Sequence, residues 1–144
     1  MPAHQSLLSP TAPQTLSRTV RFGIVGPYTP TPNGLARFGA GLSGALCANG
    51  SQSGVIRMAD GQNSMCKDLL NEVDVAIIQH EFGSYGGVAG EEVLDIVDGL
   101  HVPSIVIAHT IPKTPTSHQR SVLEKIATQA SHVVVMSDAA RQRL

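Results

Sequence analysis

Short apolar runs alternate with helical patterns along most of this chain, and that alternation limits the folds it can adopt. Several runs are nearly continuous in apolar residues, as in Val73–Gln79, Pro103–Ala108 and His132–Met136. Strands of parallel sheets have this pattern because they are buried on both faces, with helices making the crossovers between them. The sequence therefore predicts an α/β fold, with a Rossmann-like parallel sheet and helices on both faces.

The predicted elements follow one another closely. Strands are predicted over Val20–Gly26, Val55–Met58, Val73–Gln79, Pro103–Ala108 and His132–Met136. Helices are predicted from Gly34 to just before Gly50, and over Ser64–Glu72, Glu91–Leu100 and Thr116–Ala130. Thr116 and Gln119 have the spacing of a capping box, which supports a helix start at that point.

Composition divides the chain into a leader and a domain. Residues 1–19 are polar and rich in proline, so we expect a disordered leader. Residues 20–144 make up the predicted Rossmann-like domain. A last helix begins at Ser137–Asp138 and is too short to be stable without packing. That predicts a domain truncated at its C-terminus, with apolar surface exposed where a further unit would lie.

Charge and hydropathy argue against several classes of protein. The net charge of −1 gives no basic surface for nucleic acid. No apolar run is long enough to cross a bilayer, and residues 1–19 lack the apolar core of a secretory signal. Cys47 and Cys66 have no metal-ligand spacing and are expected to be reduced thiols. We therefore expect a cytoplasmic protein, with association at a membrane surface left open.

Polar and glycine residues follow three of the predicted strands. Gly34 comes after the first, His80 and Glu81 after the third, and His109 and Thr110 after the fourth. In an open parallel sheet, ligands bind at the carboxyl ends of the strands. These loops therefore predict one shared crevice, with helix N-termini that can bind an anion such as a phosphate.

Other kinds of site fit these residues less well. Gly34 can equally be a turn glycine that lets the chain enter the helix. The glycines of the first loop lack the dinucleotide fingerprint, which argues against NAD. The histidines lack the spacing of a zinc site, and no serine lies in a nucleophile elbow. We expect neither a metal nor a cofactor.

Four segments, taken in order, resemble the N-terminal domain of GT-B glycosyltransferases of the group 1/family 4 type. They are FGIVGPYTPTPNGLARF at 22–38, DVAIIQHEFG at 74–83, IVIAHT at 105–110 followed by HQR at 118–120, and VVVMSDAA at 133–140. The resemblance covers 21–144. It implies the acceptor-side half of a two-domain, retaining enzyme that moves a sugar from a nucleotide-sugar to a sugar or lipid-linked acceptor.

The resemblance also implies roles for individual residues. His109 matches a histidine close to the transferred sugar and is the expected catalytic residue. Asn33 and Gly34 lie on the loop that faces the donor phosphates. The acceptor side is expected to include four residues of the later loops: His80, Glu81, Gly83 and Thr110.

The chain departs from the family in two respects. It lacks the C-terminal donor domain with its Glu-x7-Glu motif, so we expect the chain to be inactive without that domain or a dimer partner. The segment between Met58 and Val73 is short for the family, which predicts a sheet that lacks one strand. Two other readings stay open, a non-catalytic Rossmann-like binding module and a truncated remnant without function.

Overall fold

Strand and helix alternate along the described part of the chain. The computed structural model describes residues 17–27, 34–58 and 62–144. The strands are β1 (Arg21–Pro27), β2 (Gln52–Met58), β3 (Val75–His80), β4 (Ser104–Ala108) and β5 (His132–Val135). The helices are α1 (Gly34–Ala48), α2 (Asn63–Leu70), α3 (Val93–Asp98), α4 (Ser117–Gln129) and α5 (Asp138–Arg143).

The strands form one parallel sheet in the order β2-β1-β3-β4-β5. β3 lies between β1 and β4, with His80 paired to Ala108 at its carboxyl end. Because every pair is parallel, the carboxyl ends of all the strands lie along one edge of the sheet. The predicted α/β fold with a parallel sheet is confirmed.

Helix α1 covers one face of the sheet. Ile24, Ile77 and Ile107, one from each of three adjacent strands, form the core there and pack against Leu42 and Leu46 of the helix. Alternation along a strand places Gln79 on this same face, two residues after Ile77. The face with α1 therefore has apolar residues in its middle and a polar side chain at its carboxyl edge.

Helices α2, α3 and α4 cover the opposite face. The larger core lies there and is built from apolar residues of all three helices and of the central strands, namely Val25, Cys66, Leu70, Ala76, Ile78, Val93, Ile96, Val97, Val106, Val122 and Ile126. Tyr85 and Ala89 of the loop after β3 join it. Ala140 of α5 packs on the same side, against Ala108 and Leu123. Helices thus lie on both faces, as the sequence predicts.

Several predicted helix ends are confirmed. α1 begins at Gly34, and Gly50, with φ of 89°, follows its C-terminus in the left-handed region that glycine tolerates. At α4 the Thr116 hydroxyl accepts from the backbone N–H of Gln119, whose side chain accepts from the Thr116 N–H in return. This is the reciprocal capping box that the spacing predicts.

The third predicted helix is shorter than expected. It covers Val93–Asp98, and Glu91 lies outside it. The Glu91 carboxylate accepts hydrogen bonds from the backbone N–H groups of Val88 and Ala89, at 3.3 and 2.8 Å. These bonds hold the pKa of Glu91 below its usual value. The expected first-turn acid therefore stabilises the preceding loop instead of the helix.

The second strand is longer than expected. It begins at Gln52, whose N–H donates to the Val20 carbonyl at 2.9 Å, and pairs with β1 along its whole length. The apolar pattern predicts only its second half because β2 is an edge strand whose first residues are polar. Between β2 and β3 the described residues form α2 alone, and the absence of a strand relative to the family stays a prediction.

Apolar side chains are exposed near the edge strand β5. Val134, Met136 and Leu144 are 44%, 47% and 47% exposed. Apolar residues are also exposed elsewhere, such as Val55, Met65 and Val88, so the apolar surface expected for a further unit stays a prediction. None of the described helices combines the length and apolar character that crossing a bilayer requires.

Candidate functional site

The loops that follow β3 and β4 start side by side at the carboxyl edge of the sheet. The backbone N–H of His109 donates to the carbonyl of His80 at 3.0 Å, which extends the pairing of the two strands by one residue. Side chains at the two loop starts are therefore within reach of one another. The predicted convergence of His80, Glu81, His109 and Thr110 is observed in the backbone.

The imidazole of His109 lies on the α1 face, in contact with the helix and the neighbouring strand. Its Nε2 is 3.1 Å from Oε1 of Gln79, and the Phe38 ring meets it edge-on with centroids 5.0 Å apart. Among the described residues, none forms a hydrogen bond with its Nδ1. Partial burial lowers the pKa of His109, and Glu81 partly offsets that effect. At neutral pH the ring is therefore mainly uncharged, and within the described part of the chain its Nδ1 has no hydrogen-bond partner.

Glu81 and Thr110 connect the two loops through their side chains. The Thr110 hydroxyl donates to Oε2 of Glu81 at 2.7 Å, and the backbone N–H of Phe82 donates to Oε1 at 3.2 Å. Both side chains keep solvent access, since Thr110 is exposed and Glu81 is half-buried. This pair offers a carboxylate and a hydroxyl to a polar ligand beside His109.

The side chain of His80 does not lie beside that of His109. Its side chain is fully buried on the face opposite His109, stacked on Tyr85 at 6.1 Å and met edge-on by Phe82 at 5.0 Å. Burial lowers its pKa to about 4, so the ring is neutral. The expected contact of His80 with an acceptor does not fit this position, because a side chain with no exposed surface cannot touch a ligand. Alternation along β3 points it into the core.

Two further predicted residues, Gly34 and Gly83, lie near the same edge. Gly34 is the exposed first residue of α1, one turn before Phe38, so the start of the helix lies near His109. Gly83 is exposed, with open space around it. Asn33 lies outside the described residues. Among the residues that are described, no three His, Cys, Asp or Glu side chains are grouped as a metal site requires.

Three residues of this region were missed by sequence reasoning. Gln79 contacts the ring of His109, Phe38 covers it, and the Tyr85 hydroxyl donates to the Gln79 carbonyl. Gln79 had a signal, since it is the first polar residue at the carboxyl end of an apolar strand. Phe38 had none, because its helical spacing also fits an ordinary core position.

The fold is similar to that of a glycosyltransferase. An α-glucosyltransferase solved in complex with UDP and a 13-mer DNA containing an HMU base aligns with a TM-score of 0.59 and 13% identity. The alignment covers 82% of this chain and 38% of the glucosyltransferase, so this chain spans well under half the length of that protein. At this identity the likeness shows the fold, an α/β Rossmann-like sheet.

A second solved structure is more distantly similar. It is described as a pilus-assembly-related protein of Burkholderia pseudomallei, and aligns with a TM-score of 0.49 and 14% identity over 85% of this chain and 84% of that one. We infer nothing about this chain from it. No family model matches the chain, and no curated protein matches it at a significant level.

Proposed function

We propose that this chain is the acceptor-side domain of a glycosyltransferase that moves a sugar from a nucleotide-sugar to a sugar or lipid-linked acceptor. The observation that supports it most is the setting of His109, a neutral imidazole at the carboxyl edge of β4 with Nδ1 available beside the start of α1. Fold similarity to an α-glucosyltransferase agrees with this class of enzyme. The finer assignment, to the N-terminal half of a retaining GT-B enzyme of the group 1/family 4 type, rests on the sequence resemblance.

The polar groups at this edge suit the two halves of such a reaction. A neutral imidazole accepts a hydrogen bond from a sugar hydroxyl through Nδ1 and so helps to orient the sugar for transfer. The backbone N–H of Gly34, at the start of α1, suits the charge that develops on a leaving diphosphate. Glu81 and Thr110 present oxygen atoms to hydroxyl groups of an acceptor.

We further propose that transfer requires a second α/β domain, from a longer chain or from a partner, that supplies most of the donor contacts. The resemblance implies that the two domains share the substrate contacts in this way. His109, Glu81 and Thr110 lie on a single edge of one sheet, which gives a ligand contacts on one side. No cofactor or metal is part of the proposal.

A titration followed by NMR tests the binding half of this proposal. The ¹⁵N-labelled chain is titrated with UDP and with UDP-glucose. Glucose and adenosine, which carry no diphosphate, are the control ligands. We expect shifts at Gly34, Phe38, His109 and Thr110 with the UDP compounds, and weaker ones or none with the others. An absence of shifts at these residues with every nucleotide-sugar tried would overturn the proposal.

A transfer assay tests the requirement for a second domain. The chain alone is incubated with radiolabelled UDP-glucose and a mixture of sugar acceptors, and both hydrolysis and transfer are measured. We expect neither above background. Robust turnover by the chain alone would contradict the need for a second domain while leaving the glycosyltransferase assignment intact.

A further inference from the structure

Gln79 is a polar side chain on the face of the sheet where Ile77 and Ile107 form an apolar core. It is 1% exposed and follows Ile77 on the face covered by α1. A buried carboxamide is unfavourable unless it forms hydrogen bonds. Its Oε1 lies 3.1 Å from Nε2 of His109, and the hydrogen bond to that ring offsets part of the free-energy cost of burying the carboxamide.

Two glycines make the space in which the Gln79 carboxamide lies. A Cβ added at Gly39 of α1 would come within 2.6 Å of the amide nitrogen, and one at Gly26 of β1 within 3.0 Å. Side chains at these positions would push the amide out of its place. In the structure the amide nitrogen faces the two glycines and the oxygen faces His109.

That orientation decides which ring nitrogen of His109 carries the proton. An amide oxygen only accepts, so the nitrogen that faces it must donate. A neutral imidazole has one N–H, and a proton on Nε2 leaves Nδ1 with a lone pair. The same carboxamide turned over would present its NH₂ group and require the opposite tautomer. The tautomer of His109 therefore reports the orientation of the Gln79 amide.

We infer that Gln79 is a positioning residue that holds His109 as the Nε2–H tautomer and leaves Nδ1 as a hydrogen-bond acceptor at the carboxyl edge of the sheet. Which part of a ligand His109 contacts then follows from this tautomer, and that step rests on the proposed function. Nδ1 can accept from a sugar hydroxyl but has no proton to offer a phosphate oxygen. His109 therefore contacts the sugar of the nucleotide-sugar and not its diphosphate.

The tautomer can be measured without any ligand. Two-bond ¹H–¹⁵N correlation spectra of the full chain at pH 8, where the ring is neutral, distinguish protonated from bare ring nitrogens. We expect Nε2–H for His109 in the wild-type chain. In Gln79→Met, which keeps the bulk but removes the amide, we expect the ratio of the Nε2–H to the Nδ1–H form to fall by roughly 2–10-fold, the range of one hydrogen bond.

A pair of glycine variants keeps the test decisive if Gln79→Met does not fold. Gly39→Ala places a methyl group against the Gln79 amide, whereas Gly41→Ala on the same helix meets open space. We expect Gly39→Ala to shift the tautomer ratio and Gly41→Ala to leave it unchanged. Nδ1–H as the main form in the wild-type chain, or the same ratio in both glycine variants, would overturn the inference.

The outcome is independent of whether the chain binds sugars. A chain that shows the Nε2–H tautomer and its loss in Gln79→Met, but no shifts with UDP-glucose, supports the role of Gln79 and contradicts the proposed function. If the chain binds UDP-glucose but neither Gln79→Met nor Gly39→Ala alters the tautomer, the proposed function is supported and the role of Gln79 is contradicted.

Discussion

The imidazole of His80 lies nearly parallel to the ring of Tyr85, with 9° between the planes and 6.1 Å between the centroids. Neither nitrogen of this imidazole has a hydrogen-bond partner among the described residues. The Tyr85 hydroxyl instead donates to the Gln79 carbonyl, which anchors the ring that covers His80. A titratable group is thus held in an apolar setting at the end of the central strand.

Acid should destabilise the fold through His80. Burial lowers its pKa from 6.5 to about 4, so the folded chain binds this proton less tightly than the unfolded chain does. The free energy of unfolding is therefore highest above pH 6.5 and decreases as the pH falls toward 4. A shift of this size corresponds to a loss of roughly 3 kcal/mol. Urea unfolding at pH 7.5, 5.5 and 4.5 measures it.

A variant without the imidazole isolates that effect. His80→Leu should lose much less stability than the wild-type chain over the same pH range, because it removes the group that must become charged. His132→Gln, at an exposed position of β5, is the matched control and should keep the full loss. Equal pH dependence in His80→Leu and the wild type would show that the buried ring is not responsible.

Gly90 should not tolerate a side chain. Its φ is +69°, in the left-handed region, and a Cβ there would come within 2.8 Å of the Phe82 carbonyl oxygen. Both features disfavour any other residue, so Gly90→Ala should lower the free energy of unfolding by about 1–3 kcal/mol. Gly83→Ala, in open space of the same loop, should change it little. Indistinguishable denaturation midpoints for the two variants would contradict the prediction.

The capping box of α4 should contribute measurable stability. Thr116→Ala removes the hydroxyl that accepts from the Gln119 N–H, and the loss of such a cap costs about 1 kcal/mol. Gln119→Ala removes the reciprocal bond, so the effects of the two substitutions should not add fully. Thr114→Ala, at an exposed position just before the helix, serves as the control. Thermal denaturation of the four chains, with the double variant, tests both statements.

Local signals predicted most of the fold. The alternation of apolar runs with helical patterns is a property of neighbouring residues, and so is the Thr116–Gln119 box. Glu91 shows where local reasoning ends. Its place before a helical pattern predicts an acid that interacts with the helix dipole, yet its carboxylate binds the loop N–H groups of Val88 and Ala89. The shape of that loop depends on its packing onto the sheet, which no short pattern encodes.

The candidate site was predictable in its backbone but not in its side chains. Parallel strands bring the loops after β3 and β4 together, so the closeness of Glu81 and Thr110 follows from topology. Successive residues of a strand point to opposite faces of the sheet, so the register of β3 decides which of them lies beside His109. That is why Gln79, and not His80, contacts His109.

Removing His109 should weaken nucleotide-sugar binding under the proposed function. His109→Ala deletes the acceptor Nδ1 and the edge-on contact with Phe38, while the start of α1 stays in place. One hydrogen bond fewer predicts an affinity for UDP-glucose lower by roughly 2–10-fold. The affinity for UDP should change much less, since UDP lacks the glucosyl group that Nδ1 is proposed to bind. Calorimetric titration of both ligands against both chains gives the comparison.

The difference between the two ligands is what tests the contact with the sugar. His101→Ala is the matched histidine control, because this exposed residue precedes β4 and so lies at the opposite end of the strand from His109. It should leave both affinities unchanged. An equal loss of UDP and UDP-glucose affinity in His109→Ala would place the imidazole beside the nucleotide or its diphosphate. That result would contradict a contact between Nδ1 and the glucosyl group, since a loss shared by both ligands comes from a part that both of them carry.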